Sequence, residues 1–92
     1  MDIDTRRKKL LYQASYRGFK EADLLIGGFA RAHLPSMSDQ ELDEFEALLK
    51  QSDRELYAWA MGDIEPPAEV VGPIFEKLRN FDIANMIRHL TD

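Results

Sequence analysis

Ser38-Asp39-Gln40-Glu41-Leu42-Asp43-Glu44-Phe45-Glu46-Ala47-Leu48-Leu49 carries both a helix start and a helix period. Ser38 followed by Glu41 is a capping box: the serine oxygen takes the Glu41 amide and the glutamate reaches back. Met37 and Leu42 stand where a hydrophobic staple would. Leu42, Phe45, Leu48 and Leu49 then recur at the spacing of one helical face. Asp39, Glu41, Asp43, Glu44 and Glu46 crowd the remaining faces, and the early ones favour the positive end of the helix dipole.

The same grammar extends in both directions. Ser52-Asp53-Arg54-Glu55 repeats the capping pattern for a short helix carrying Leu56, Tyr57, Trp59 and Ala60, with Gly62 as its stop. Pro66-Pro67 forces an extended joint. Pro73 fits the first position of a helix capped by Gly72, with Ile74, Phe75, Leu78 and Phe81 as its buried stripe. Ile83, Ile87 and Leu90 continue on a rotated face. Upstream, Thr5 to Tyr16 reads as a helix burying Leu10, Leu11 and Ala14, with Ile3 before it and Arg7 to Lys9 facing water. A second helix begins near Phe19, with Leu25, Gly28, Phe29 and Ala32 on one stripe, widened by Ala22 and Ile26. Gly27-Gly28 weakens it by about 1 kcal/mol per residue, and Gly28 on the stripe admits a close neighbour. Pro35 ends that segment. No stretch alternates with period two, so strands are not expected. The expected fold is all-α, a small five-helix bundle in a single domain over 1–92.

Composition narrows the function. A chain of 92 residues buries only about 60–65% of its unfolded surface, which leaves little room for a deep cleft. There are no cysteines, so disulfides, thiolate metal sites and cysteine nucleophiles are excluded. No apolar run reaches the roughly 20 residues of a membrane span, and Met1-Asp2-Ile3-Asp4 lacks the pattern of a secretory or transit leader. A cytoplasmic location and no membrane insertion are expected. The net charge is −5. Residues 1–20 hold six cations against Asp2 and Asp4, a net of +4, so the rest of the chain carries −9. Overall acidity disfavours nucleic acid, and a basic end on an acidic body suits protein docking.

Residues able to do chemistry are few. His33 and His89 have no partner at metal-ligand spacing, and no phosphate-binding glycine loop is present. Ser38 and Ser52 are explained as caps. Trp59 and Tyr57 fit a core. No metal, no bound cofactor and no catalytic residue are expected. Arg6 to Lys9 could contact phosphate, but they lack interleaved aromatics. Arg17-Gly18-Phe19-Lys20-Glu21 reads as a turn between helices, with glycine at the stop and a glutamate in the next first turn. That explains Gly18 and Glu21 and gives Arg17 no role.

In its surroundings this stretch resembles the succinate dehydrogenase assembly factors that promote covalent flavinylation, SdhE in bacteria with mitochondrial relatives. Their mark is R-G-x-x-E followed by an acid and an aliphatic run, here Arg17 to Ile26 with Asp23 as the acid. The basic Arg6-Arg7-Lys8-Lys9-Leu10-Leu11-Tyr12, the middle residues Leu42, Phe45, Glu46, Leu48 and Leu49, and Leu56-Tyr57 with Trp59 and Gly62 follow in family order. The resemblance covers about residues 5–81 and leaves 82–92 without a motif. Tyr16 stands where a basic or aromatic residue often precedes the R-G pair.

The resemblance implies a non-enzymatic monomer without its own cofactor. Its partner would be the flavoprotein subunit of succinate dehydrogenase, and often that of fumarate reductase. It would assist the bond between a flavoprotein histidine and FAD. By motif position Arg17 would be a charge-assisted donor to the partner, Gly18 would set the turn and Glu21 would accept near the flavin region. Asp23, Arg7 and Lys8 are further partner-binding candidates. Two other classes fit the residues: an antitoxin-like or nucleic-acid-associated module using Arg6 to Lys9, and a generic helical adaptor.

Overall fold

A computed structural model of the chain describes residues 2–81. Among them are five α-helices, α1 (Ile3–Ser15), α2 (Lys20–His33), α3 (Asp39–Leu49), α4 (Asp53–Met61) and α5 (Pro73–Arg79), and no strand. One 3₁₀ turn, Leu34–Ser36, closes α2. The proposed run through Ile83, Ile87 and Leu90, and His89, lie outside the described residues.

The helix starts follow local chemistry. Both halves of the Ser38–Glu41 capping box form: the Glu41 N–H donates to Ser38 Oγ at 3.2 Å, and the Ser38 N–H donates to Glu41 Oε1 at 2.9 Å. At α4 only one half forms. The Glu55 N–H donates to Ser52 Oγ at 3.1 Å, but the Glu55 carboxylate accepts from the serine hydroxyl rather than from its backbone. Gly62 ends α4 with φ +83°, and Pro73 opens α5 behind Gly72. Helix α1 starts two residues earlier than its apolar pattern indicates, because Asp2 caps it through the Asp4 N–H. It ends at Ser15, so the chain leaves the helix before Gly18.

The helices share one core. Helix α1 lies against α2 and α3, α5 against α3 and α4, and α4 touches α2. Phe29, Phe45 and Phe75 are fully buried, and Phe29 meets Phe45 at 5.7 Å between ring centroids. Each such ring contributes about 1.5–3 kcal/mol by burial. Val70, in the turn after Pro67, also plugs the core.

Two packing details differ from the pattern reading. Helix α2 buries Ala22, Leu25, Ile26, Gly27, Phe29 and Ala30, while Ala32 is exposed. The buried stripe also takes in Gly27, which has a close neighbour of its own: a Cβ there would lie 3.1 Å from Ser15 Cα. Arg7 does not face water alone. Its Nε donates to the Leu34 carbonyl at 3.0 Å and its Nη2 to the Met37 carbonyl at 2.9 Å. It holds the 3₁₀ turn against α1.

Candidate functional site

The segment Tyr16–Phe19 joins α1 to α2. Phe19 is the N-cap residue of α2 and supplies no side-chain cap. The first-turn amides of a helix need partners or negative charge, and Glu21 and Asp23 stand in that turn. Asp23 reaches back instead, accepting the Arg17 backbone N–H in a short bond. Gly18 sits at φ +122°, a region that side-chain-bearing residues avoid.

The Arg17 side chain is only 8% exposed. It turns inward, onto the joint between α3 and α4. Its Nε lies 2.8 Å from Asp53 Oδ1, and its Nη2 donates to the Gln51 carbonyl at 3.0 Å. The Nε–H is not aligned on any acceptor among the described residues. The contact with Asp53 is therefore an ion pair at close range rather than a directed hydrogen bond. A buried guanidinium is expensive without a counterion, and Asp53 supplies it. Arg17 thus ties the first inter-helix turn to the third, a task that turn geometry alone did not reveal.

Asp53 also leans over Gly18. A Cβ at Gly18 would meet Asp53 Oδ2 at 2.7 Å, so glycine is required for both its dihedral and its clearance. Phe19 packs edge-on against Tyr57 at 5.4 Å. Trp59 is buried with the core and Tyr57 half-buried against it, as their spacing suggested. Glu21 is exposed and makes no hydrogen bond or ion pair among the described residues.

The structure therefore brings Arg17, Gly18 and Asp23 together and leaves Glu21 on the outer side of the same turn. Arg7 and Lys8 stand apart, on the order of 12 Å or more along α1. They line another recess, of about 440 Å³, with Arg31 and Leu34. The basic run is also less free than its sequence implies. Arg6 pairs with Asp43 and lies 3.6 Å from Glu46, which raises its pKa, chiefly through the Asp43 hydrogen bond. Arg7 is engaged as described, and only Lys8 and Lys9 carry no ion pair among the described residues. Half the charge available to a polyanion is thus already used within the fold.

Glu44 stands among the acids on the outer faces of α3. Its Oε2 instead accepts the Ile74 N–H at 2.6 Å and caps α5, where Gly72 offers no side chain. No signal within the sequence of α3 could have found this partner. His33 closes α2 stacked on Phe29, with centroids 4.6 Å apart. Among the described residues no group of three or more metal-ligating side chains converges, and no helix is long and apolar enough to cross a membrane.

Fold and turn together define a small all-helical protein organised around a charged inter-helix turn. Comparison with known proteins supplies the family: the family model described as flavinator of succinate dehydrogenase matches residues 8–82, and the chain belongs to that family. Similar relatives are each named succinate dehydrogenase assembly factor 2, mitochondrial. The Candida glabrata protein is 37% identical over 90 residues, covering 98% of this chain and 56% of its own. That of Cryptococcus neoformans is 39% identical over 79 residues, 85% of this chain and 45% of its own. That of Saccharomyces cerevisiae is 31% identical over 90 residues, 98% of this chain and 52% of its own. The chain spans about half the length of these relatives.

The expected cytoplasmic location is corrected by the same finding. The relatives' names point to the mitochondrion. Compartment is read by receptors from address segments, not from the helices of a folded core.

Proposed function

We propose that residues 1–92 act as one helical domain, as a monomer, that binds the flavoprotein subunit of succinate dehydrogenase and promotes covalent attachment of FAD to a histidine of that subunit. The flavoprotein of fumarate reductase is a second partner of the same kind. Membership of the flavinator family supports this reading. The single observation that carries the site is the Arg17-to-Glu21 turn, braced from inside by Asp53 and Asp23 and turned outward at Glu21.

The flavin supplies the bond chemistry, since its 8α carbon is what the histidine joins. This chain is not an enzyme and holds no cofactor of its own. It contributes alignment: a rigid turn pressed on the flavoprotein holds histidine and flavin in reacting geometry, and positioning of this kind is worth several kcal/mol. In this reading Glu21 is the outward acceptor and Gly18 fixes the turn beneath Asp53. Arg17 acts through the turn's shape, its guanidinium being occupied within the fold. Asp23 holds the turn shut, and Arg7 and Lys8 add contacts at a distance.

The test is covalent flavin on the purified flavoprotein, read as fluorescence of its denatured band with this protein as the only factor supplied. Glu21→Ala should lower that signal severalfold while unfolding within about 1 kcal/mol of the parent. A folded Glu21→Ala protein that supports flavinylation like the parent would remove the turn as the site.

A further inference from the structure

One concavity remains beside the turn. A recess of about 430 Å³ lies between the second half of α1 and the end of α3, lined among others by Lys9, Tyr12, Tyr16, Arg17, Glu46 and Lys50. That size falls within the range of binding pockets. Tyr12 and Tyr16 are 68% and 70% exposed and stack on each other at 4.7 Å with planes tilted by 43°. A single exposed aromatic needs no explanation. Two tyrosines in contact on the rim of a recess present a continuous aromatic surface, and tyrosine is enriched where interfaces concentrate their energy.

The charges around that surface do not cancel. Glu46 shares Arg6 with Asp43, lying 3.6 Å from it, and Arg17 is balanced by Asp53. Lys9 and Lys50 are exposed and pair with no carboxylate among the described residues. The recess thus sets two lysines without a carboxylate partner among the described residues against the one lining carboxylate, Glu46, a local excess of positive charge on a chain of net charge −5. An acidic partner is repelled by most of this surface and attracted here, which fixes its orientation as well as its approach.

We propose that this recess docks an acidic segment of the flavoprotein subunit, with a carboxylate between Lys9 and Lys50 and an apolar neighbour against the Tyr12–Tyr16 pair. The proposal rests on the partner reading above and names the chemistry of the contact. It places the docked segment next to Arg17, continuous with the turn that carries Glu21.

The experiment measures binding of the purified flavoprotein subunit to three proteins: the parent, Lys9→Glu/Lys50→Glu, and Tyr12→Ser/Tyr16→Ser. All three should give the same helical circular dichroism, because the altered side chains are exposed. The charge reversal should weaken binding about tenfold or more, mainly by slowing association, and the tyrosine variant should speed dissociation. Carbodiimide coupling of the parent complex should join Lys9 or Lys50 to an aspartate or glutamate of the flavoprotein. If the parent binds and both variants bind within about twofold of it, the recess is not the contact while the partner reading stands. If the parent itself does not bind, the partner reading fails and the docking proposal with it. A concentration-dependent dimer of this chain that the lysine variant dissolves would assign the recess to a second copy and overturn the proposal.

Discussion

Arg17 Nε and Asp53 Oδ1 lie 2.8 Å apart across the protein, one at the first inter-helix turn and the other at the first residue of α4. The guanidinium is nearly buried and the carboxylate one-third exposed. Asp53→Asn should therefore leave a desolvated cation without a counterion, at a cost of about 2–3 kcal/mol. Urea denaturation of Asp53→Asn, Arg17→Ala and the double variant should give single losses that sum to more than the double. Strict additivity would mean that the pair does not couple.

Gly18 faces two separate penalties when a side chain is added. Its φ of +122° costs about 1–3 kcal/mol for a non-glycine residue, and Asp53 Oδ2 would lie 2.7 Å from the new Cβ. Gly18→Ala should destabilise the fold, and it should also reduce flavinylation by moving Asp53 off Arg17. Measured by denaturation in an Asp53→Ala background, the alanine should cost less but not nothing. Equal costs in both backgrounds would show that Asp53 does not press on the glycine.

Gly27→Ala sets helix preference against packing. Alanine favours a helix interior by about 1 kcal/mol over glycine. Here its methyl would meet Ser15 Cα at 3.1 Å and Oγ at 3.2 Å, with the Ala14 carbonyl oxygen at 3.5 Å. Most of these are backbone atoms of α1, which cannot swing aside as a side chain would, and overpacking costs about 1–3 kcal/mol. A net loss of up to about 2 kcal/mol in thermal or urea unfolding is expected. A stabilised variant would show that α1 yields.

The carboxyl of Glu41 is held below its ordinary pKa, first by the Ser38 backbone N–H, next by the Ser38 hydroxyl, with Lys77 Nζ at 3.7 Å adding to them. A carboxylate whose folded pKa is depressed adds stability above its unfolded value, about 4.3. That contribution fades as pH falls through the folded value. Unfolding free energy followed from about pH 7 to about pH 3 should fall more steeply for the parent than for Glu41→Gln, which still accepts from Ser38 but cannot titrate. Matching acid limbs would deny the box its ionic part.

The arrangement of helices was legible wherever the chemistry closes within one turn. Ser38, Ser52, Gly62 and Pro73 mark boundaries because the amides and carbonyls that need partners lie three or four residues away. The Asp2 cap is less legible, because Ile3 is the single apolar residue in the turn it starts and the buried stripe begins only at Leu10. The candidate site was legible as a string: Arg17, Gly18, Glu21 and Asp23 stand in order on one short segment.

What each of those residues does was a matter of tertiary structure. The sequence alone determined five short amphipathic helices, their caps, a charged turn between the first two and a basic end on an acidic body. Only the packed fold decided that Arg17 points inward to Asp53, that Arg7 spans to the Leu34 and Met37 carbonyls, that Glu44 caps α5, and that Gly27 meets Ser15 of α1. The physical reason is rotation. Each residue turns a helix face by about 100°, so the crossing of two helices selects which of two adjacent residues is buried. Capping is specified by sequence spacing. Partners some 27 to 34 positions away in the chain are specified by how the helices cross, and that is set by the whole core at once.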